Sequence, residues 1–199
     1  MNKKPRAMKK IMFNDYYGLT RAVIEGRKTM TRRIITDSNI DARLEELWMD
    51  DKVNGSDWKF LLEHVAKYMI GEQIAVAQRY KDVADSIFVK EQLAANEENP
   101  QALRLSAGWN NKMFTVAYYM PHRIEIKARR FERLQDISER ECLLEGIITD
   151  DVLFYCKGEG IDPHTDAVSA FADLIDGVNG TPIWHKNPWV IAYSFKLVL

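Results

Sequence analysis

The sequence predicts an α+β protein: a mixed β-barrel of about five to six strands with flanking helices. Three observations predict it. Short strand-like runs are scattered among helix-like runs without a strict βαβ rhythm. The last stretch, Trp189 to Leu197, alternates Trp189, Ile191, Tyr193, Phe195 and Leu197 against Val190, Ala192, Ser194 and Lys196, which is the period of a half-buried strand. Glycines also close several of the helical runs, where a left-handed residue ends a helix most cheaply.

In order along the chain, Ile11 to Phe13 reads as a short first strand. Asn14 or Asp15 can cap a helix carrying Tyr16, Leu19, Val23 and Ile24, and Gly26 can end it. Thr29 to Ile35 is rich in β-branched residues and suits a strand. A polar, helix-prone region follows, with Ser56 capping a helix of Trp58, Leu61, Leu62, Val65 and Met69 that Gly71 breaks. Gln73 to Gln78 alternates as a strand. Lys81 to Asn111 has no clear period, and its Ala-, Asn- and Glu-rich middle (Ala94 to Asn99) reads as an excursion from the core. Phe114 to Tyr119 and Ile124 to Leu134 are strand-like, separated by the Met120-Pro121 turn. Ser138 and Glu141 form a capping box for a short helix ending at Gly146, with Leu143, Leu144 and Ile147 turned inward. Thr165 to Ile175 is an amphipathic helix, and Gly177 and Gly180 mark the turn after it. With no internal repeat and no linker, residues 1–199 read as one domain.

Composition narrows the function classes. The chain has 199 residues, 46% hydrophobic and 29% charged, ordinary for a globular protein. No apolar run approaches the ~18 residues of a membrane span. Met1 to Lys10 lacks the apolar segment and cleavage site of a secretory signal. Two cysteines, Cys142 and Cys156, make no disulfide framework. A cytoplasmic protein is expected. Net charge is −1, so no global field advertises nucleic acid. The distribution is uneven, however. Met1 to Arg33 carries ten basic residues (Lys3, Lys4, Arg6, Lys9, Lys10, Arg21, Arg27, Lys28, Arg32, Arg33) against Asp15 and Glu25. A second basic stretch holds Arg123, Lys127, Arg129, Arg130 and Arg133, and Asp37 to Asp57 is acidic. Such patches suit either a phosphate-binding face or a solvated surface.

Motifs exclude more than they assign. His64, His122, His164 and His185 are scattered, and neither cysteine lies near a histidine at ligand spacing, so no metal site is expected. Phosphate-loop, dinucleotide and nucleophile-elbow patterns are absent, and no cofactor is expected. Cys142, on an apolar helix face, reads as core rather than nucleophile. What stands out is Gly26-Arg27-Lys28-Thr29-Met30-Thr31-Arg32-Arg33. A glycine there frees the turn, so Lys28 can fold back toward Thr31. A lysine whose proton affinity is lowered by burial can activate a threonine hydroxyl. The same cations can clamp phosphates, or lie solvated on a surface strand.

Gly26 to Arg33 resembles the opening signature of ASCH domains, which have the PUA-like fold. Gly71-Glu72-Gln73-Ile74-Ala75-Val76 is similar to the glycine-acidic pair that begins a strand in that family. Leu134 to Ile147 resembles its later helix. Asn187-Pro188-Trp189-Val190, and Met120-Pro121 with Arg123, look like the longer, phage-associated members. The pieces lie in the family's order across most of the chain. The resemblance implies a PUA-like barrel with a basic cleft for RNA or a modified nucleoside. Helical insertions near residues 40–69 and 81–111 are implied too, since the family's small enzymes are about half this length.

Those enzymes remove the acyl group of N4-acylcytidine with a Lys, a Thr three positions on and a later Glu. By resemblance these fall on Lys28, Thr31 and Glu145. Lys28 would take the proton of Thr31, Thr31 would attack the amide carbonyl, and Glu145 would orient the lysine. Glu145 near a helix C-terminus is equally at home as a solvated carboxylate. Two functions therefore stand side by side. One is a binding module in which Arg27, Thr29, Arg32, Arg33 and Arg123 hold RNA or a modified nucleoside, with Tyr16, Tyr17, Trp109 or Tyr118 as stacking platforms. The other is an amidohydrolase acting through Lys28, Thr31 and Glu145. A phage-encoded interaction protein with a vestigial cleft is a third possibility.

Overall fold

A computed structural model describes residues 8–50, 55–156 and 162–198. Lys3, Lys4 and Arg6 of the basic N-terminal stretch, and residues 51–54 of the acidic one, lie outside the described residues. The protein is α+β. Five strands form one mixed sheet: β1 (Lys10–Ile11), β2 (Met30–Ile34), β3 (Gln73–Val76), β4 (Arg123–Arg133) and β7 (Trp189–Val198). Their spatial order is β1-β3-β4-β7-β2, and β5 (Ile148–Thr149) and β6 (Phe154–Tyr155) make a separate hairpin. β1 runs parallel to β3; the other pairings in the sheet are antiparallel. Among the described residues no backbone ladder joins the two edges, β1 and β2. Instead the Arg33 guanidinium donates to the Met12 carbonyl at 2.8 Å, and the Phe13 ring meets that of Phe195 on β7 at a tilt, with centroids 5.8 Å apart.

The main core lies against the sheet. Ile11, Ile74, Val76, Ile124, Ile126 and Phe195 are buried there together with residues of α1 (Leu19–Ile24), α7 (Glu139–Leu144) and α8 (Ala167–Asn179). Fully burying side chains such as Ile124 and Ile126 stabilises the fold by roughly 1.5–3 kcal/mol each. β3 is buried on both faces. Ile74 and Val76 belong to the main core, while Ala75 between them faces a second cluster of Tyr80, Val83, Val89, Leu93, Leu103, Tyr119 and Met120. That second cluster explains the unclear period of residues 81–111. They fold into α4 (Tyr80–Val83), α5 (Ile87–Ala95) and α6 (Pro100–Leu105), short helices that pack on the back of β3. Two further helices are α2 (Ser38–Met49) and α3 (Gly55–Val65).

Four local expectations are corrected. Gly18, not Asn14 or Asp15, precedes α1, and Tyr16 lies outside that helix. Ser56 lies within α3, which ends at Val65, short of Met69. Phe114 to Tyr119 is not a strand. It holds two 3-10 turns, Lys112–Phe114 and Ala117–Tyr119. β3 pairs directly with β4, so the sheet leaves these β-branched and aromatic residues no partner strand. Their backbone is held otherwise: Lys10 Nζ donates to the carbonyls of Met113 and Thr115 at 2.6 Å, and the Tyr80 hydroxyl accepts from Val116 N–H at 2.8 Å. Gly177 also lies inside α8 rather than after it. Gly180, at φ +69°, ends the helix.

Candidate active site

Gly26, at φ +74°, sets the direction of the segment that carries the site. The next two N–H groups, of Arg27 and Lys28, both donate to the Ala22 carbonyl, at 2.9 and 3.0 Å. The side chains part there. Arg27 turns outward and pairs with Glu25 at 2.7 Å. Lys28 turns inward and is only 2% exposed. Thr29 is tied on both sides: its N–H donates to the Leu144 carbonyl at 2.9 Å, and its own carbonyl accepts from Phe195 N–H at 2.8 Å. The segment is thereby fixed between the end of α7 and β7, and Thr29 contributes backbone rather than a ligand contact.

Lys28 Nζ reaches Glu145, 117 residues further on, at 2.5 Å from Oε2 and 2.7 Å from the carbonyl oxygen. Glu145 is the C-cap of α7 and is 4% exposed, so it is not a solvated carboxylate. A negative charge at a helix C-terminus is opposed by the macrodipole; here two cations offset it, Lys28 on Oε2 and Arg32 Nη1 on Oε1 at 3.1 Å. Gly146 follows at φ +110°, and a Cβ there would sit 3.0 Å from Leu19 Cδ2 and 3.6 Å from Lys28 Cδ. A glycine at this position lets α1 and the lysine stem close on the end of α7.

Arg32 is a correction to the phosphate-clamp expectation. It is buried, and its guanidinium meets three carboxylates: Glu132 at 2.6 Å, Glu141 at 2.9 Å and Glu145 at 3.1 Å. The Glu132 contact is an ion contact without hydrogen-bond alignment, since Arg32 Nε and Glu132 Oε1 lack hydrogen-bond partners. Committed to three anions below the surface, Arg32 has no face to offer a phosphate. Arg130 completes the cluster through Glu132 and Glu141, both at 2.5 Å. Three cations (Lys28, Arg32, Arg130) thus balance three carboxylates, which is how so many charges tolerate burial.

The cluster perturbs its members. Burial drives the Lys28 proton affinity below its ordinary value; the attraction of Glu145 opposes this, and the charges of Arg33 and Arg32 add to it. Burial pushes the Glu132 carboxyl up despite Arg32 and Arg130. Burial also pushes Glu141 up, but hydrogen bonds from Arg130 and Ser138 N–H, with the charge of Arg32, bring it below its ordinary value. Cys142, fully buried beside the cluster, has its thiol pushed up to about 12 by burial, which leaves it inert as a nucleophile.

Thr31, 5% exposed, shares with Lys28 and Glu145 the wall of one cavity of about 90 Å³. None of the hydrogen bonds found among the described residues uses the Thr31 hydroxyl. Most of the remaining lining is apolar: Met12, Phe13, Leu19, and Phe171, Leu174, Ile175 and Val178 of α8. A second cavity of about 360 Å³ opens beside it at the seam between β1 and β2. Its floor holds Tyr68, Ile191 and Tyr193, and Lys10, Arg33, Asp37 and Lys67 are among its polar residues. Met12 and Arg33 line both cavities. Arg33 is exposed, with its guanidinium 5.7 Å from the centroid of the Phe13 ring.

The structure therefore brings Lys28, Thr31, Glu145, Arg32 and Arg33 together and leaves Arg27, Thr29 and Arg123 out. Arg123 stands opposite Val198, beyond the Val190–Ser194 stretch of β7 that β2 pairs with, and packs over Phe88. Of the stacking candidates, Tyr16 and Tyr118 are exposed away from both cavities, and Trp109 packs on the second core. Glu132 and Glu141 were missed as parts of the site. Glu132 carried a signal: it is the lone acid between Lys127 and Arg133. No group of three or more His, Cys, Asp or Glu side chains among the described residues is placed to hold a metal. No helix among them is long and apolar enough to cross a membrane. Comparison of the chain with family models, curated proteins and solved structures finds no match.

Proposed function

We propose that this chain is a PUA-like domain of the ASCH type that hydrolyses the amide of an N4-acylated cytidine or a related modified nucleoside. One observation carries the proposal: residues 117 positions apart, Lys28 and Glu145, meet in a buried pair on the wall of a cavity that Thr31 also lines. In this scheme Lys28, made a weaker proton holder by burial, accepts the Thr31 proton as Oγ1 attacks the acyl carbon. The C–N bond then breaks, and the proton passes from Lys28 to the departing amine. Water, deprotonated by Lys28, attacks the resulting threonine ester; its C–O bond breaks, the proton returns from Lys28 to Thr31 Oγ1, and the carboxylic acid is released. Glu145 holds the lysine at its post, and Arg32 holds Glu145. The seam bridged by Arg33 and Met12 is where the five strands would close as a PUA-like barrel, with side chains standing in for a ladder.

The test is release of acetate from N4-acetylcytidine by the purified protein beside Lys28→Ala and Thr31→Ala. Turnover by the wild type, lost in both variants, is the expected result. No turnover by the wild type removes the activity. The exposed Arg33 and Lys67 of the larger cavity favour a second reading, binding of RNA or a modified nucleoside without chemistry. Phosphate-driven RNA binding would weaken steeply with salt and would fall in Arg33→Ala.

A further inference from the structure

The two cavities divide a ligand unequally, and their sizes differ fourfold. At about 30 Å³ per water-sized group, the 90 Å³ inner cavity holds about three non-hydrogen atoms. The 360 Å³ outer cavity falls in the range of pockets that take a nucleoside-sized ligand. The inner cavity is also two-sided in chemistry. Its lining joins Lys28, Thr31 and Glu145 with the apolar side chains of Leu174, Ile175 and Val178. From these facts, and resting on the hydrolase function proposed above, we infer that α8 is an acyl-length gauge: it restricts the amide to a short acyl group, while the nucleoside occupies the seam between β1 and β2.

The geometry gives the gauge its form. Residues 171, 174, 175 and 178 recur at helical spacing, so they form one continuous stripe of α8 turned toward the site, and that face is held on the core by Ala167, Ala170 and Phe171. Gly180 ends the helix two residues after Val178, so Ile175 and Val178 are the last apolar residues before the chain departs. They are partly buried, unlike Leu174, which is 2% exposed and belongs to the core. Ile175 and Val178 therefore set the depth of the cavity at least cost to the fold. An acetyl group fills about three atoms' worth of space; each further methylene must displace one of these side chains. A ligand reaches this wall past Met12 and Arg33, the two residues that both cavities share.

The experiment compares N4-acetyl-, N4-propionyl-, N4-butyryl- and N4-benzoylcytidine as substrates of the wild type, Val178→Ala, Ile175→Val and Val178→Leu. The wild type should take the acetyl compound best, with kcat/KM falling about 10- to 200-fold where a methylene no longer fits. Val178→Ala and Ile175→Val should move the optimum toward propionyl and butyryl, and Val178→Leu should depress even acetyl turnover. Thermal melting of each variant tells a resized pocket from a damaged fold, and the opposite shifts expected of Ala and Leu at one position keep the test sharp if either variant is less stable. Turnover by the wild type with equal kcat/KM across the series, or with optima that the α8 substitutions do not move, overturns the gauge and leaves the hydrolase standing. Absence of turnover with every acyl group overturns both.

Discussion

Replacing Lys28 by Met keeps the length and apolar stem of the side chain and removes its charge. The carboxylate of Glu145 then loses its 2.5 Å partner and keeps Arg32 at 3.1 Å. Removing one member of a buried ion pair costs ~3–5 kcal/mol. With Arg32 still facing Glu145, the lower end applies, about 3 kcal/mol. In a domain of this size each kcal/mol lowers Tm by roughly 2–4 °C, so Lys28→Met should melt about 6–12 °C early. Glu145→Gln should cost a comparable ~3 kcal/mol, because Lys28 then has oxygens to donate to but no counter-charge beside Arg32 and Arg33.

The double variant removes both charges and leaves Arg32 with Glu132 and Glu141. Its cost should fall short of the sum of the single costs by ~2–3 kcal/mol, the size expected of residues in one network. Urea unfolding of the four proteins, followed by circular dichroism at neutral pH, measures this difference directly. Additivity within about 0.5 kcal/mol would refute the coupled pair, and with it the claim that Glu145 positions Lys28.

Two further outcomes follow from the same cluster. Lys28 has its proton affinity lowered below the ordinary 10.5 by burial, so between the lowered value and 10.5 the unfolded chain holds a proton that the folded chain does not. Stability contributed by this position must rise as pH rises through that window and be lowest below it. The difference in urea midpoint between wild type and Lys28→Met, measured from neutral to alkaline pH, should therefore change in favour of the wild type as pH rises, and a flat difference rejects a perturbed Lys28. Gly146→Ala should destabilise by about 1–3 kcal/mol, since an alanine would have to hold φ +110° with its Cβ 3.0 Å from Leu19; a melting temperature equal to wild type would show that α7 and α1 do not meet as described.

Much of the frame was legible because its signals are local. Gly26 and Gly146 end helices at positive φ, and Ser138 with Glu141 makes both halves of the capping box. The alternation of Trp189 to Leu197 is the strand that joins β4 to β2 in the sheet. The site was half legible. Lys28 and Thr31 sit in a run whose chemistry is odd for a surface strand, and Glu145 came only through resemblance. What sequence spacing misses is who shields whom. Arg32 follows Thr31 in a short edge strand, where a cation ordinarily points to water, yet its partners lie 109 and 113 positions away on α7 and another on β4. The strand-like Phe114 to Tyr119 failed for a related reason. Intrinsic preference for extended backbone needs a free edge, and β4 had already taken the one beside β3.

The buried charges also bear on which function the fold favours. An RNA clamp requires cations that reach solvent and release counterions when they meet phosphate. Of the basic residues in the Gly26 to Arg33 run, Lys28 and Arg32 are buried and neutralised, and Arg27 is paired with Glu25; Arg33 alone of the four is exposed at a cavity. A neutral, buried network is poor at attracting a polyanion. Under the proposed hydrolysis, the same network would keep the Lys28 amine on the wall of the cavity that Thr31 lines, where a lysine that gives up its proton can act as a base. The same cations that look like a phosphate site in the sequence are spent in the fold on Glu145, which Lys28 and Arg32 both hold on the wall of the cavity that Thr31 lines. A fall in RNA affinity in Arg33→Ala, with catalysis of N4-acetylcytidine absent, is the pair of results that would reverse this preference.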